Sequence, residues 1–482
     1  MDSCEANKSK NPQIEERNNK LLSQKTIEKV LNAAIETGGD FAEIFVEDKT
    51  SSSLTMIGGI LEKAVSGRDF GVGIRIFKGY FSVYAYTNDD SEENLIKVAR
   101  SAAGAITGQK QDSIMGLRKS AMRNAHEIKT MPDSVSKKQR INWMRRAHEA
   151  ARGYDPVVTQ TNIAFSDYVQ NVLIANTEGI FVEDIRSRNR LAISAMATSG
   201  SQKETGFVGP GYFGGLEYME ELDIEAYARE AARSAKIILS ASFAPSGKFP
   251  VIIDNGFGGV LFHEACGHGL EATSVAYKNS IFADRLGKMV ASPLVTAYDD
   301  GTMPNTWGSL NLDDEGMATQ KNLLIENGIL KGYLIDKLGS RRMEMVPTGS
   351  GRRESYRYAP TSRMNNTYIA TGKSTPEEII ASIEFGVFAK YMGGGSVNPA
   401  TGDYNFNVRE GYVIRQGKIA EAIKGATLIG NGMDTLQKID MVGNNLKHEI
   451  GMCGSSSGTI PVTVGQPMLR VSELTVGGRK EE

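Results

Sequence analysis

A chain of 482 residues is too long for one ordinary hydrophobic core and implies two or three domains. Its 55 basic residues against 57 acidic ones leave a net charge of −2, with no cationic excess to neutralise phosphates, which argues against direct nucleic-acid binding. Hydrophobic content of 40% and charged content of 23% describe a soluble globular protein, and no apolar stretch approaches the roughly 18 residues needed to cross a membrane.

In chain order, residues 1–24 are polar, lack the apolar centre of a secretion signal and read as a flexible leader. Thr26 to Thr37 places Ile27, Val30, Leu31, Ala34 and Ile35 at helical spacing, and Gly38-Gly39 stops it. Strand patterns follow from Phe41, over Ser52 to Met56, Ile60 to Val65, Gly71 to Phe77 and Tyr80 to Tyr86. Asp90 to Ala103 returns to helical spacing, with acidic residues at its start, where the helix dipole favours them. Gln109 to Lys137 is polar and reads as a surface excursion. Lys138 to Arg152 reads as a helix, Val157 to Ser199 as strands, and Asp223 to Leu239 as another helix. Residues 25–240 therefore predict an N-terminal α/β layer domain, in an α+β fold overall.

Residues 241–248, with Pro245, Ser246 and Gly247, read as a linker to a second domain over 249–482. It opens with the strand Phe249 to Asp254, then a glycine-rich turn and a helix carrying two histidines. Beyond that come short strands between turns, among them Leu323 to Asp336, Val408 to Arg415, Lys418 to Ala422 and Ile460 to Val464. They predict a mainly antiparallel β domain, barrel or sandwich, built around the metal-binding helix. The cysteines Cys4, Cys266 and Cys453 cannot form a disulfide framework, which points to a cytoplasmic setting.

The chemistry concentrates in Phe262-His263-Glu264-Ala265-Cys266-Gly267-His268-Gly269-Leu270-Glu271, which holds two of the five histidines of the chain. Two imidazoles can hold a divalent metal, and the carboxylate between them can take a proton from a metal-bound water, as in a hydrolase of peptide bonds. The histidines are five apart, not four. On a regular α-helix that separates them by roughly 140°, so a π-type turn eased by Gly267 is expected to bring them together. A third ligand must come from elsewhere. The options are Cys266, Glu271, His448 and Cys453. Cys266 points away from both histidines on such a turn, and Cys453 sits in a glycine- and serine-rich loop able to approach a metal closely. An imidazole and thiolate set favours zinc over iron or manganese.

Elsewhere, Asp299-Asp300 and Asp313-Asp314 read as turn formers on a solvated face rather than a calcium or paired-carboxylate site. Arg352 and Arg353 are candidates to bind a phosphate or a peptide carboxylate, or to pair with those acidic turns. Gly393 and Gly394 lack the context of a nucleotide loop and suit close backbone approach to a substrate. His126 and His148 receive no role.

Taken together, several segments resemble the TldD branch of the TldD/PmbA metalloprotease family, also called modulators of DNA gyrase. They are the histidine motif, Asp299-Asp300-Gly301-Thr302, Trp307-Gly308-Ser309, Asp313-Asp314-Glu315-Gly316, Gly351-Arg352-Arg353, Arg363-Met364-Asn365-Asn366-Thr367-Tyr368-Ile369 and Gly393-Gly394-Gly395-Ser396-Val397. Cys453-Gly454, the ending Val464-Gly465-Gln466-Pro467-Met468-Leu469-Arg470-Val471 with Val476-Gly477-Gly478, and Gly71-Val72-Gly73-Ile74-Arg75 belong to the same pattern. The resemblance implies one zinc per active subunit, held by His263, His268 and Cys453, with Glu264 as acid/base. It implies a dimer, either of identical chains or with a PmbA/TldE-like paralogue, acting on unfolded peptides gripped through their backbones. Cys266 departs from the small apolar residue expected there and adds an oxidisable thiol beside the metal. Neither the leader nor the 109–137 segment has a counterpart with a role. Two rival readings are a non-enzymatic adaptor of a topoisomerase or other protein, and an amidase acting on modified peptides.

Overall fold

The computed structural model describes residues 21–109, 115–120 and 124–478. Cys4 and most of the expected leader lie outside the described residues. Residues 21–24 are not leader: Leu21 and Leu22 pack on the first core, and Ser23 caps the helix Gln24–Ala34, accepting the Thr26 amide at 3.1 Å.

The N-terminal half is one sheet built on four long antiparallel strands. Phe41–Ile57 pairs with Ile60–Lys78 on one side and with Val158–Asn176 on the other, and Ile180–Ser199 continues the order. Alternation along these strands makes two different faces. Ala42, Ile44, Val46, Leu54 and Met56 face the helices Gln24–Ala34, Glu92–Ala103, Lys137–Arg152 and Ile224–Leu239. On the other face Glu43 and Glu47 meet Arg353 and the Tyr356 amide of the C-terminal half. Segment 109–137 is not wholly a surface excursion. It contributes the strand Arg118–Lys119 to this sheet and buries His126, whose Nδ1 accepts the Asn305 amide at 3.0 Å. Burial pushes the His126 pKa down to about 4.

In the C-terminal half, five strands close into a barrel in the order Gly247–Ile253, Leu469–Gly477, Ala426–Asn431, Asp403–Arg415, Phe385–Val397 and back to Gly247–Ile253. All these pairings are antiparallel except the last, Val251 to Val387, which is parallel. A six-stranded sheet stands beside the barrel and ends at the edge strand Lys447–Ser455. Residues 241–248 do not behave as a free linker. Ser242–Phe243 pairs in parallel with Ile423–Lys424, and Gly247 already belongs to the barrel, so their backbone groups are spent on sheet ladders.

The acidic turns are buried, against the expectation of a solvated face. Asp299 accepts the Asn365 amide at 2.7 Å and the Thr367 hydroxyl at 3.0 Å. Asp313 accepts the amides of Glu315, Met317 and Gly351. Asp314 takes Arg186 Nη1 at 2.5 Å. Each carboxylate meets several donors, which offsets the cost of leaving water. Arg353 pairs with Glu43 at 2.6 Å, Arg75 bridges Glu43 at 2.7 Å and Glu315 at 2.5 Å, and together they rivet the N-terminal sheet to the C-terminal half. Glu43→Gln would take from buried Arg353 its carboxylate partner among the described residues and leave buried Arg75 with Glu315 alone. It is expected to lower stability by about 3–5 kcal/mol, read as a fall in the urea unfolding midpoint; an unchanged midpoint would show the rivet to be dispensable.

Candidate metal centre

The histidine helix grows out of a barrel strand. After Gly247–Ile253 the chain makes a single 3₁₀ turn, Gly256–Gly259, and enters the short helix Val260–Ala265. A Cβ on Gly259 would lie 2.6 Å from the Gly465 amide nitrogen, so only glycine lets the helix start this close to the strand Gly458–Gln466. Leu261, Phe262 and Ala265 anchor the helix in the main C-terminal core.

No π turn follows. The helix breaks at Cys266, at φ −129° and ψ −48°, and a 3₁₀ turn, Gly267–Leu270, carries His268. Unwinding for one residue supplies the rotation that a continuous α-helix would have denied. Gly267 fits because a Cβ there would meet Met364 Sδ at 2.1 Å. Cys266 turns into the core, fully buried, and burial pushes its thiol pKa far up. It is therefore an inert packing residue and not an oxidisable thiol beside the site.

His263, His268 and Cys453 converge, with their ligand atoms within 4.8 Å of one another. Cys453 arrives on the edge strand Lys447–Ser455, 185 residues beyond His268 in the chain, and its Sγ lies 3.3 Å from His268 Nε2. Burial alone would raise the Cys453 thiol, but the two imidazoles draw its pKa down to about 4, which is the thiolate form a metal needs. His263 is buried, and neither of its ring nitrogens has a hydrogen-bond partner among the described residues. A buried imidazole without a partner is costly unless something else satisfies it. Two imidazoles and a thiolate form a three-ligand set that leaves one coordination position for water, so the residues fit a catalytic divalent metal.

Glu264 points to the same place, with Oε2 3.6 Å from His268 Nε2 and about a quarter of its side chain exposed, at 26%. Two further residues complete the centre. Glu271 Oε2 lies 3.1 Å from His268 Nδ1, so Nε2 is the nitrogen turned to the metal position. Burial lowers the His268 pKa, but Glu271 and Cys453 outweigh it and hold it well above the usual value. Arg363, fully buried, stands 4.0 Å from Glu271 and donates to the Cys453 carbonyl at 2.5 Å, so one guanidinium braces both sides. Sequence reasoning weighed Glu271 only as a ligand and gave Arg363 no role. The His268-x-x-Glu271 spacing was the available signal, since such a carboxylate orients a ligating imidazole. Glu271→Gln is expected to weaken metal retention about 10- to 100-fold, measured by competition with a chromogenic chelator; wild-type retention would remove Glu271 from the centre.

The other candidates lie elsewhere. Arg352 donates to the carbonyls of Met364 and Pro461, and Arg353 is committed to Glu43 and the Asp314 carbonyl. Gly393 packs on Asn407, and Gly394 faces open space. His448 sits edge-on to Tyr368, outside the cluster, and His148 Nδ1 lies 2.7 Å from the Thr161 hydroxyl.

A carboxylate placed beside a three-ligand centre is the apparatus of a metallopeptidase, and the comparisons agree. Residues 42–106, 131–239 and 246–478 match the models for domain 1, the central domain and the C-terminal domain of the PmbA/TldA metallopeptidases. The chain belongs to the PmbA/TldD family of metallopeptidases, in its TldD-like branch. It is 38% identical over 469 residues to the metalloprotease TldD homolog of Haemophilus influenzae, spanning 95% of this chain and 97% of that one. It is 26% identical to the zinc metalloprotease TldD homolog of Saccharolobus solfataricus, over 93% of this chain and 99% of the relative. The fold matches that of a modulator of DNA gyrase from Thermotoga maritima, with a TM-score of 0.78 at 24% identity over 94% of this chain and all of that one. It also matches TldE from Thermococcus kodakarensis, with a TM-score of 0.75 at 19% identity over the same shares.

Proposed function

We propose that this chain is a zinc-dependent peptidase of unfolded or short peptides, in which His263, His268 and Cys453 hold the metal and Glu264 moves the proton. The observation that carries the reading is the convergence of these ligand atoms within 4.8 Å, with the Glu264 carboxylate beside them. A zinc ion held by His263, His268 and Cys453 would supply an acidified water and a positive charge for a developing oxyanion. Glu264 is placed to take a proton from an attacking water and to give one to the leaving amine. Glu271 and Arg363 keep His268 and Cys453 oriented throughout.

The edge strand Lys447–Ser455 supports a peptide ligand. Among the described residues it has a neighbour on one side only, and its residues His448 to Met452 line a cavity of about 580 Å³ together with Phe207, Tyr218, Tyr227 and Tyr391. A peptide added there as a further strand would be held mainly through its backbone, which gives weak side-chain preference. Trp307 Nε1 already occupies the Gly451 carbonyl at 3.0 Å, so that acceptor is not offered. In this reading the enzyme is a cytoplasmic dimer, of itself or with a PmbA/TldE-like paralogue.

The test is hydrolysis of an unfolded peptide by the purified, zinc-loaded chain, alone and with such a paralogue, with products identified by mass spectrometry. Cleavage in either mixture is the expected result; cleavage in neither would overturn the reading.

A further inference from the structure

Alternation along the strand Ile180–Ser199 puts Arg186, Arg188 and Arg190 on the face turned to the C-terminal half. There they join Lys49, Arg352 and Arg353 around a cavity of about 400 Å³, against only two lining carboxylates, Asp314 and Glu354. Two of the cations are matched, Arg186 by Asp184 and Asp314, and Arg353 by Glu43. The other four have no carboxylate partner among the described residues. Arg188 donates to the carbonyls of Trp307 and Ser309 and to the Tyr168 hydroxyl. Arg352 spends itself on two carbonyls, and Lys49 lies 4.4 Å over the Tyr168 ring. The Arg190 side chain makes no hydrogen bond or ion pair among the described residues, and its Nε is buried. Burial pushes the Arg190 pKa below its usual value, and burial with the field of Arg188 takes Arg352 down to about 9.

Cations gathered in a partly desolvated cavity with too few carboxylates to match them repel one another, and a guanidinium with open donors is satisfied best by a planar anion. Position narrows the choice. Arg190 and Met452 line both this cavity and the larger one along the edge strand, and Met452 adjoins Cys453. An anion held by Arg190 therefore belongs to whatever lies along that strand. We propose that this cavity binds a carboxylate of the peptide, at its C-terminus or on an Asp or Glu side chain, with Arg190 as the principal donor. The inference rests on the peptidase reading for the identity of the ligand.

Binding separates the two ideas, because it needs no cleavage. The full-length zinc-loaded Glu264→Gln chain is titrated by anisotropy with one labelled unfolded peptide in three forms. These are a free C-terminal acid, a carboxamide, and a carboxamide ending in Glu. A carboxylate-bearing form is expected to bind about tenfold more tightly than the neutral one, and which form does so identifies the source. Adding Arg190→Gln should erase that difference, and Arg190→Lys should keep part of it. Lys49→Gln, expected to reduce the preference severalfold, serves if Arg190→Gln does not fold. Equal affinities for all three forms, no binding of any, or a preference that survives Arg190→Gln would overturn the proposal. Cleavage of the same peptides by the wild-type chain reports separately on the peptidase reading.

Discussion

Glu264→Gln is expected to keep its metal and to lose peptide hydrolysis by about 100- to 10,000-fold. Glutamine matches glutamate in shape but cannot take up a proton. Glu264 lies 3.6 Å from His268 Nε2 and is partly exposed, which places its carboxylate where both the centre and an arriving peptide can reach it. The ligand atoms come from His263, His268 and Cys453, so removing the Glu264 charge leaves the metal set intact. Metal content by atomic emission and cleavage by mass spectrometry, read on the same preparation, check both halves of the expectation. Normal cleavage would take Glu264 out of the chemistry, and loss of metal would recast it as a ligand.

Cys453→Ala is expected to reduce bound metal from about one ion per chain to almost none after dialysis, while Cys266→Ala retains it in full. The two cysteines are near opposites. Cys453 lies 3.3 Å from His268 Nε2 and is drawn to the thiolate form by two imidazoles. Cys266 is sealed in the core with its pKa raised by burial. Losing the first leaves two imidazoles with two open coordination positions. Losing the second opens a small cavity costing about 1 kcal/mol of stability. Equal metal content in the two variants would refute the assignment of Cys453.

The four long N-terminal helices were legible because each carries an apolar stripe at its own period, whereas helices of five to seven residues such as Lys337–Met343 and Gly432–Gln437 are too short to show one. The predicted Asp223 to Leu239 and the observed Ile224–Leu239 differ by one residue. The long strands were harder. Phe41–Ile57 reads as two pieces because the polar run Asp48, Lys49, Thr50, Ser51 interrupts its apolar alternation, and nothing local shows the burial of Glu43 and Glu47. They are buried only because Arg75, Arg353 and the Tyr356 amide come to meet them from up to 310 residues away. The acidic turns were misplaced for the same reason, and the expected linker because a short strand leaves little pattern of its own.

The sequence by itself determined the chemistry on offer: two histidines flanking a glutamate, few cysteines, balanced charge, and an ordered set of motifs specific enough to mark a family. It also determined the α+β class, since hydrophobic period is a local property. The tertiary structure decided how the two histidines come to share a site, by breaking the helix at Cys266 rather than overwinding it. It also decided that Glu271 and Arg363 brace the centre, and that Arg190 faces a cavity where six cations meet two carboxylates. The places of Arg363 and Arg190 are relations between segments far apart in the chain, fixed by packing and by the need to pair buried charge, whereas the Glu271 brace left a local trace in the His268-x-x-Glu271 spacing.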